Sequence, residues 1–203
     1  MTHSVAWSLL LTGLCLTPPG IRAAGTESTP PGISIAVIDF EYLDTSGEER
    51  DQREEHDARL GVFMAAVKRD LAAGDAYRVI DPVCSPSPCT MSDSTKDDVL
   101  AAARSAGAQL ALSGGFHKMS TLVQFARTEV IEVASGRTVY SWLFTFRGDS
   151  DKAWAQAEPF MVRQVTAGIR AAYPGNVVPA VVAGAATEST LEGAMPRAET
   201  ASP

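Results

Sequence analysis

The sequence predicts an α/β fold (α+β-like), in which helices pack on a single mixed sheet in the order β-α-β-α-β-β-β-α. Residues 33–40 form a nearly continuous apolar, β-branched run, which is typical of a strand buried on both faces. Residues 60–71 place apolar side chains at the spacing of an amphipathic helix. Residues 137–148 alternate aromatic and other side chains with the period of two that a strand produces. One mixed sheet with helices packed on it satisfies all three patterns.

Each element of the first half has its own local signal. Gly74 ends the first helix, and residues 77–81 follow as a second strand, so the strand–helix–strand unit is expected to be a parallel crossover. Ser94 and Asp97 fit a capping box at the start of a short second helix, which ends at Gly107.

The second half is predicted to contain three strands and a final helix, at residues 108–118, 121–133, 137–148 and 149–173. Gly114 and Gly115 interrupt the first of these strands, and they indicate a bulge or a close backbone approach. The segment Ala134-Ser135-Gly136 is suited to a hairpin turn. Pro159 is expected either to kink the final helix or to restart it.

The ends of the chain predict secretion to the periplasm. An apolar run at residues 5–16 is followed by Pro18, Pro19 and Gly20 and then by small residues, the layout of a cleaved signal peptide. We expect Cys15 to be removed with it. The predicted divisions are a signal peptide at 1–25, a linker at 26–32, one α/β domain at 33–173 and a disordered tail at 174–203.

The charge of the chain argues against some classes of partner. The formal net charge is −7, and loss of Arg22 with the signal peptide would make it −8. No basic patch is available to neutralise a phosphate backbone, so nucleic-acid binding is not expected. The mature chain contains no apolar run long enough for a membrane span, because the run at residues 177–186 is short and contains Pro179.

Cys84 and Cys89 raise three alternatives: a metal site, a redox centre or a structural disulfide. A zinc site needs about four ligands, and beyond these cysteines the mature chain has only His56 and His117 as nitrogen or sulfur ligands. A redox pair usually has two intervening residues, whereas this pair has four. We therefore predict a disulfide and no metal.

Four polar residues near strand ends are candidate ligand-binding residues: Asp39, Glu41, Asp44 and His117. Ligands of open α/β sheets bind beyond the carboxyl ends of strands, and carboxylates suit hard cations. The competing interpretation is that these acids are merely solvated where the strand ends. No phosphate-binding loop, dinucleotide fingerprint or nucleophile elbow is present, so we predict no catalytic residues and no cofactor.

The last strand predicts two faces with different roles. Tyr140, Trp142, Phe144 and Phe146 share a face that is expected to pack under the final helix. The opposite face carries the candidate interaction residues of an edge strand: Ser141, Leu143 and Thr145.

Several stretches together resemble a family of small secreted bacterial proteins known only as a domain of unknown function, associated with gene clusters of PQQ-dependent (quinoprotein) alcohol dehydrogenases. More distantly, the chain is similar to the amino-terminal domain of the Tol-system translocation protein and to curli-secretion lipoprotein domains. These resemblances imply protein binding or oligomerisation and supply no catalytic residues. The stretches are IAVIDFEYLDTS, YRVIDPVCSPSPC, GAQLALSGGFHKMSTL, VIEVASGRTVYSWLFTFRG and DSDKAWAQA.

Two functional hypotheses follow. The first is a periplasmic, non-enzymatic accessory or protein-interaction domain, whose partner is a protein such as a quinoprotein dehydrogenase or its cytochrome. The second is a periplasmic protein that binds a small ligand or a cation through the acidic strand ends.

Overall fold

The computed structural model describes residues 32–85 and 87–175, and within them it confirms the predicted α/β fold. The predicted signal peptide and most of the predicted linker and tail lie outside the described residues. In chain order the elements are β1 (Ile33–Val37), β2 (Glu41–Asp44), α1 (Arg53–Ala72), β3 (Tyr77–Ile80), α2 (Lys96–Ser105), β4 (Leu110–Lys118), β5 (Val123–Glu132), β6 (Thr138–Arg147) and α3 (Asp151–Ala172).

One mixed sheet contains all six strands of the described residues, with the main order β3-β1-β4-β5-β6. Strand β1 is parallel to both β3 and β4, which confirms the predicted parallel pairing of the first two strands. Strands β4, β5 and β6 are antiparallel to one another. Strand β2 is an addition to the predicted order, and it pairs in parallel with the second half of β4.

The two faces of the sheet are covered to different extents. Helices α1 and α3 pack on one face, the inner face, over the larger cluster of buried apolar side chains. Helix α2 packs on the other face, the outer face, over a smaller cluster that includes Ala36, Ile38, Ala111 and Ile131. Because α2 is short, it leaves the part of the outer face formed by β2, β5 and β6 open.

The glycine pair in β4 is a place of close approach. A Cβ atom added at Gly114 would lie 2.7 Å from the ring of Phe40 and would also overlap the backbone carbonyl of Arg127. A Cβ atom added at Gly115 would lie 3.1 Å from the carbonyl oxygen of Glu41. The sequence left open whether this pair marks a bulge or a close approach, and the structure selects the close approach.

Two helix predictions are refined by the structure. The N-cap of α2 is Thr95 and not Ser94, because the Thr95 hydroxyl accepts a hydrogen bond from the backbone N–H of Asp98 at 3.2 Å. Helix α3 is continuous through Pro159, with buried Trp154 before this proline and buried Met161 after it. Packing on both sides of the proline therefore holds the two halves as one helix.

Across the described residues, no helix is both long enough and apolar enough to cross a bilayer.

Candidate functional site

A depression of about 600 Å³ lies on the open part of the outer face, over the glycine pair of β4. Apolar side chains are exposed around it, since Leu43 is 55% and Leu143 is 60% exposed. Polar groups lie beside them, so the depression offers both kinds of contact. Its walls include Glu41, Leu43, Met91, His117, Phe125 and Leu143.

Two of the predicted ligand residues hold the segment that follows the cysteine loop. The Asp39 carboxylate accepts a hydrogen bond from the backbone N–H of Cys89 at 3.1 Å. The Glu41 carboxylate accepts one from the backbone N–H of Ser92 at 2.5 Å. Both carboxylates therefore already accept hydrogen bonds from the backbone of this segment, one just after β1 and the other at the start of β2.

The other two predicted ligand residues lie on opposite faces of the sheet. Asp44 faces inward, with a carboxylate oxygen 3.6 Å from the Lys118 ammonium. His117 lines the depression on the outer face, and its Nε2 lies 2.7 Å from the Thr45 hydroxyl. The four residues thus do not form one cluster: Glu41 and His117 share the depression, whereas the other two lie elsewhere. Ligand binding by any of them stays a prediction.

The predicted disulfide between Cys84 and Cys89 is confirmed, with Cα atoms 5.2 Å apart. Cys89 is buried in the smaller apolar cluster on the outer face, so the bond fixes the loop against the sheet. In the described part of the chain, no three His, Cys, Asp or Glu side chains are grouped so that they could hold a metal ion.

Strand β6 lies at the edge of the sheet, as the sequence predicts. Among the described strands it pairs only with β5, so its other side presents unpaired backbone groups. Ser141, Leu143 and Thr145 are all exposed on its outer face. From Thr138 to Phe146 the strand carries no charged side chain.

A buried polar cluster on the inner face was not anticipated from the sequence. The side chain of Lys118, at the end of β4, is fully buried. Its ammonium group donates three hydrogen bonds, to Glu48 at 2.8 Å, Gln52 at 2.9 Å and Asp149 at 2.8 Å. An ammonium group has three protons to donate, so this cation is fully satisfied.

Asp149 is the acceptor that connects this cluster to the helices. One carboxylate oxygen accepts from Lys118 and lies 2.8 Å from Nε2 of His56. The other accepts from Arg59 at 3.0 Å and from Gln124 at 3.1 Å. The β6–α3 connection is thereby tied to α1, β4 and β5 at once.

The charges of the cluster stabilise one another. Burial alone would raise the pKa of Asp149, but hydrogen bonds from Lys118 and His56 lower it to about 2. Burial alone would lower the pKa of Lys118, yet the carboxylates of Asp149 and Glu48 hold it above its ordinary value. Lys118 therefore stays protonated at neutral pH, which suits a structural cation and not a base or nucleophile.

A signal for the buried lysine is present in the sequence. The inner-face side chains of β4 recur every second residue, and continuing this period from Phe116 places Lys118 on the inner face. The acids that neutralise it come from two loops, and no local pattern links them to the strand.

The fold and the site together define a class: a small domain with a mixed sheet, an internal ion cluster and an open outer sheet face. The chain belongs to the family described as "Protein of unknown function (DUF2380)", whose family model matches residues 33–165. No curated protein shows significant sequence similarity to the chain.

Several solved structures are similar to the chain at low sequence identity. The PelC dodecamer from Paraburkholderia phytofirmans is 19% identical with a TM-score of 0.44, covering 68% of this chain and 88% of that one. TolB from Acinetobacter baumannii is 11% identical with a TM-score of 0.43, covering 69% of this chain and 29% of that one. The LpoB C-terminal domain from Salmonella enterica is 15% identical with a TM-score of 0.36, covering 59% and 85%. Similarity at this level says nothing about function.

The comparisons bear on the resemblance stated from the sequence. Membership of a family of unknown function is confirmed, and TolB is among the structurally similar proteins. The association with quinoprotein dehydrogenases and the similarity to curli-secretion domains stay predictions.

Proposed function

We propose that this protein is a secreted, periplasmic, non-enzymatic accessory domain that binds a protein partner through β6 and the open outer face. The observation that supports this most directly is an edge strand that carries no charge from Thr138 to Phe146 and exposes Leu143 on its outer face. Unpaired backbone groups on such an edge readily pair with another strand.

The surface offers both affinity and specificity to a partner strand. Backbone pairing along β6 would supply the hydrogen bonds. Leu43 and Leu143 line the same depression, so a partner side chain that filled it would bury apolar area on both. Glu41 and His117 would add polar contacts at its wall.

The sequence resemblance supports a component of a PQQ-dependent alcohol dehydrogenase system as the partner. The dehydrogenase itself and its cytochrome are the two proteins to be tested first. The chain's net negative charge favours a partner with a positive surface.

A small-ligand function is the second candidate. One observation favours it: Glu41 and His117 line the same depression, which is large enough for a small molecule. In this alternative the depression is filled by a ligand and not by a partner side chain.

The deciding experiment is affinity purification of the tagged mature protein from the periplasm of its own host, grown with and without an alcohol as carbon source. We expect a stoichiometric dehydrogenase or cytochrome, and we expect its loss when Ser141 and Thr145 are both changed to lysine. The matched control changes Ala167 and Ala171, exposed on α3, to lysine. A photo-crosslinker at position 143 should label the same protein.

Two results would contradict the proposal. One is recovery of the protein with no other protein bound under both growth conditions, and the other is a partner that both double-lysine variants retain equally. A thermal shift caused by a small molecule or a cation, abolished by Glu41→Gln or His117→Ala, would instead support the second candidate.

A further inference from the structure

Helix α1 has an unusual solvent face. Val62, in the middle of the helix, is 73% exposed. Ala58, Gly61 and Ala65 beside it are also exposed. The solvent face of a helix packed on a core is normally polar, so this apolar region indicates a surface that something else covers.

A groove of about 580 Å³ runs between α1 and α3 next to this region. Ala58 and Ala66 line it from α1, and Ala155 lines it from α3. Two buried side chains in its wall have a polar atom with no hydrogen-bond partner in the described residues, namely Nε1 of Trp154 and Oε1 of Glu158. Both atoms are covered by the protein itself, so they mark a polar floor of the groove and do not by themselves identify what fills it.

The charged residues along α1 indicate which kind of surface is complementary to this face. Glu55 lies seven residues before Val62, and Arg69 lies seven residues after it. Both line the groove, and their side chains are 40% and 69% exposed, respectively. Ala58 and Ala66 lie four residues to either side of Val62. About Val62 this face is therefore antisymmetric in charge at Glu55 and Arg69 and symmetric in size at the two alanines. Arg59 also lines the groove and departs from this symmetry, because its mirror position is Ala65. Its guanidinium group is bonded within its own copy, to Asp149 and Asp151.

Such a pattern is complementary to itself when one copy is reversed. In an antiparallel pair of α1 helices with a two-fold axis at Val62, Glu55 of each copy lies opposite Arg69 of the other. Arg69 follows Glu55 by fourteen positions, which is about 21 Å along the helix, so the two charge pairs would lie at the two ends of the contact. The small residues between them allow the helices to approach closely.

We propose that this face binds a second copy of the chain, as an isologous dimer in which α1 packs antiparallel to α1 of the other copy about Val62. The charge pattern favours a second copy over an unrelated protein as the binding partner. Opposite charges placed evenly about one central residue are complementary to the same surface on another copy, and an unrelated partner would have no reason to match them. Within one copy Glu55 is bonded to Arg50 and Arg69 to Asp70, and these exposed pairs can be exchanged at low cost.

The first test uses the two-fold axis itself. In Val62→Cys of the mature protein, Cys84 and Cys89 are paired, so the new thiol is the single free one. Residues on a two-fold axis meet their own copies, and we expect rapid formation of a covalent dimer under mild oxidation at low protein concentration. Ala167→Cys, exposed on α3 and outside the groove lining, is the matched control, and it should not become covalently linked.

The second test uses the charges. By sedimentation velocity we expect Glu55→Arg and Arg69→Glu each to weaken dimerisation by about tenfold or more, and the double variant Glu55→Arg/Arg69→Glu to restore it. Melting curves followed by circular dichroism establish that each variant is folded.

Three results would overturn the proposal. The first is a wild-type protein that is monomeric at concentrations up to about 0.1 mM, a weak limit for a specific dimer. The second is equal crosslinking of the two cysteine variants. The third is a double charge variant that is no better than the single variants, which would exclude the antiparallel register.

Discussion

At the scale of single residues, Lys118 organises the interior of the inner face. Its three hydrogen bonds connect a strand end to the loop before α1 and to the connection before α3. A charge inside a protein is tolerated only when its partners are held in place, because the cost of leaving water must be offset by contacts. The cluster therefore fixes the positions of two loops that have little apolar packing of their own.

Removing the lysine charge should destabilise the protein strongly. In Lys118→Met the carboxylates of Glu48 and Asp149 would lose their shared cation, and we expect the free energy of unfolding to fall by about 3–5 kcal/mol. Urea denaturation measures this change. Lys152→Met, at an exposed lysine, is the control and should change stability little. A loss for Lys118→Met as small as that of the control would show that the cluster is dispensable.

The period of side chains along β4 could have predicted that Lys118 points inward, but it could not predict its partners. Glu48 and Asp149 lie about a hundred residues apart in sequence and meet only in the folded chain. A lysine at a strand end is usually solvated, and only the convergence of two loops makes burial favourable here.

At the scale of elements, regular apolar periods were enough to predict most of the sheet and the long helices. Strand β2 was not predicted, because four residues with polar side chains at both ends give no apolar period. Strand β2 forms because its backbone pairs with the second half of β4, and that pairing is not local in sequence. The edge position of β6 was predicted correctly, on the ground that the last strand of such a sheet is often an edge.

The close approach at Gly114 gives a prediction for β4. A methyl group there would collide with the Phe40 ring and with the backbone of β5, so we expect Gly114→Ala to cost roughly 1–3 kcal/mol or more. Thermal and urea unfolding measure the loss.

Gly74→Ala is the matched control for this substitution, because the space around its Cβ position is empty. We expect it to be neutral or slightly stabilising. If both alanine variants unfolded at the wild-type midpoint, the close packing of Phe40 over β4 would be refuted.

At the scale of the whole molecule, Glu158 on α3 makes stability depend on pH. Burial and the negative charge of Asp70 raise the pKa of Glu158 to about 7, although Arg69 opposes the shift. In the unfolded chain a glutamate titrates near 4.3. Between these values the folded protein binds more protons at this site than the unfolded one, so the site destabilises the fold as pH rises.

We therefore expect Glu158→Gln to be more stable than the wild type at pH 7.5, by roughly 1–3 kcal/mol, and to differ much less at pH 5. Urea denaturation of both proteins across this range isolates the contribution of one carboxyl group. Glu49→Gln, at an exposed glutamate, should follow the wild-type curve at every pH. A constant difference between Glu158→Gln and wild type across the range would contradict the raised pKa.

The sheet separates two surfaces of different use. Helices α1 and α3 lie on its inner face, while the depression and the exposed side chains of β6 lie on its outer face. Pairing through α1 therefore leaves the outer face of each copy free, and the two faces point away from each other. A dimer of this kind is bivalent. If its partner has two binding segments, binding of the first segment raises the effective concentration of the second, so the dimer gains avidity without any new contact.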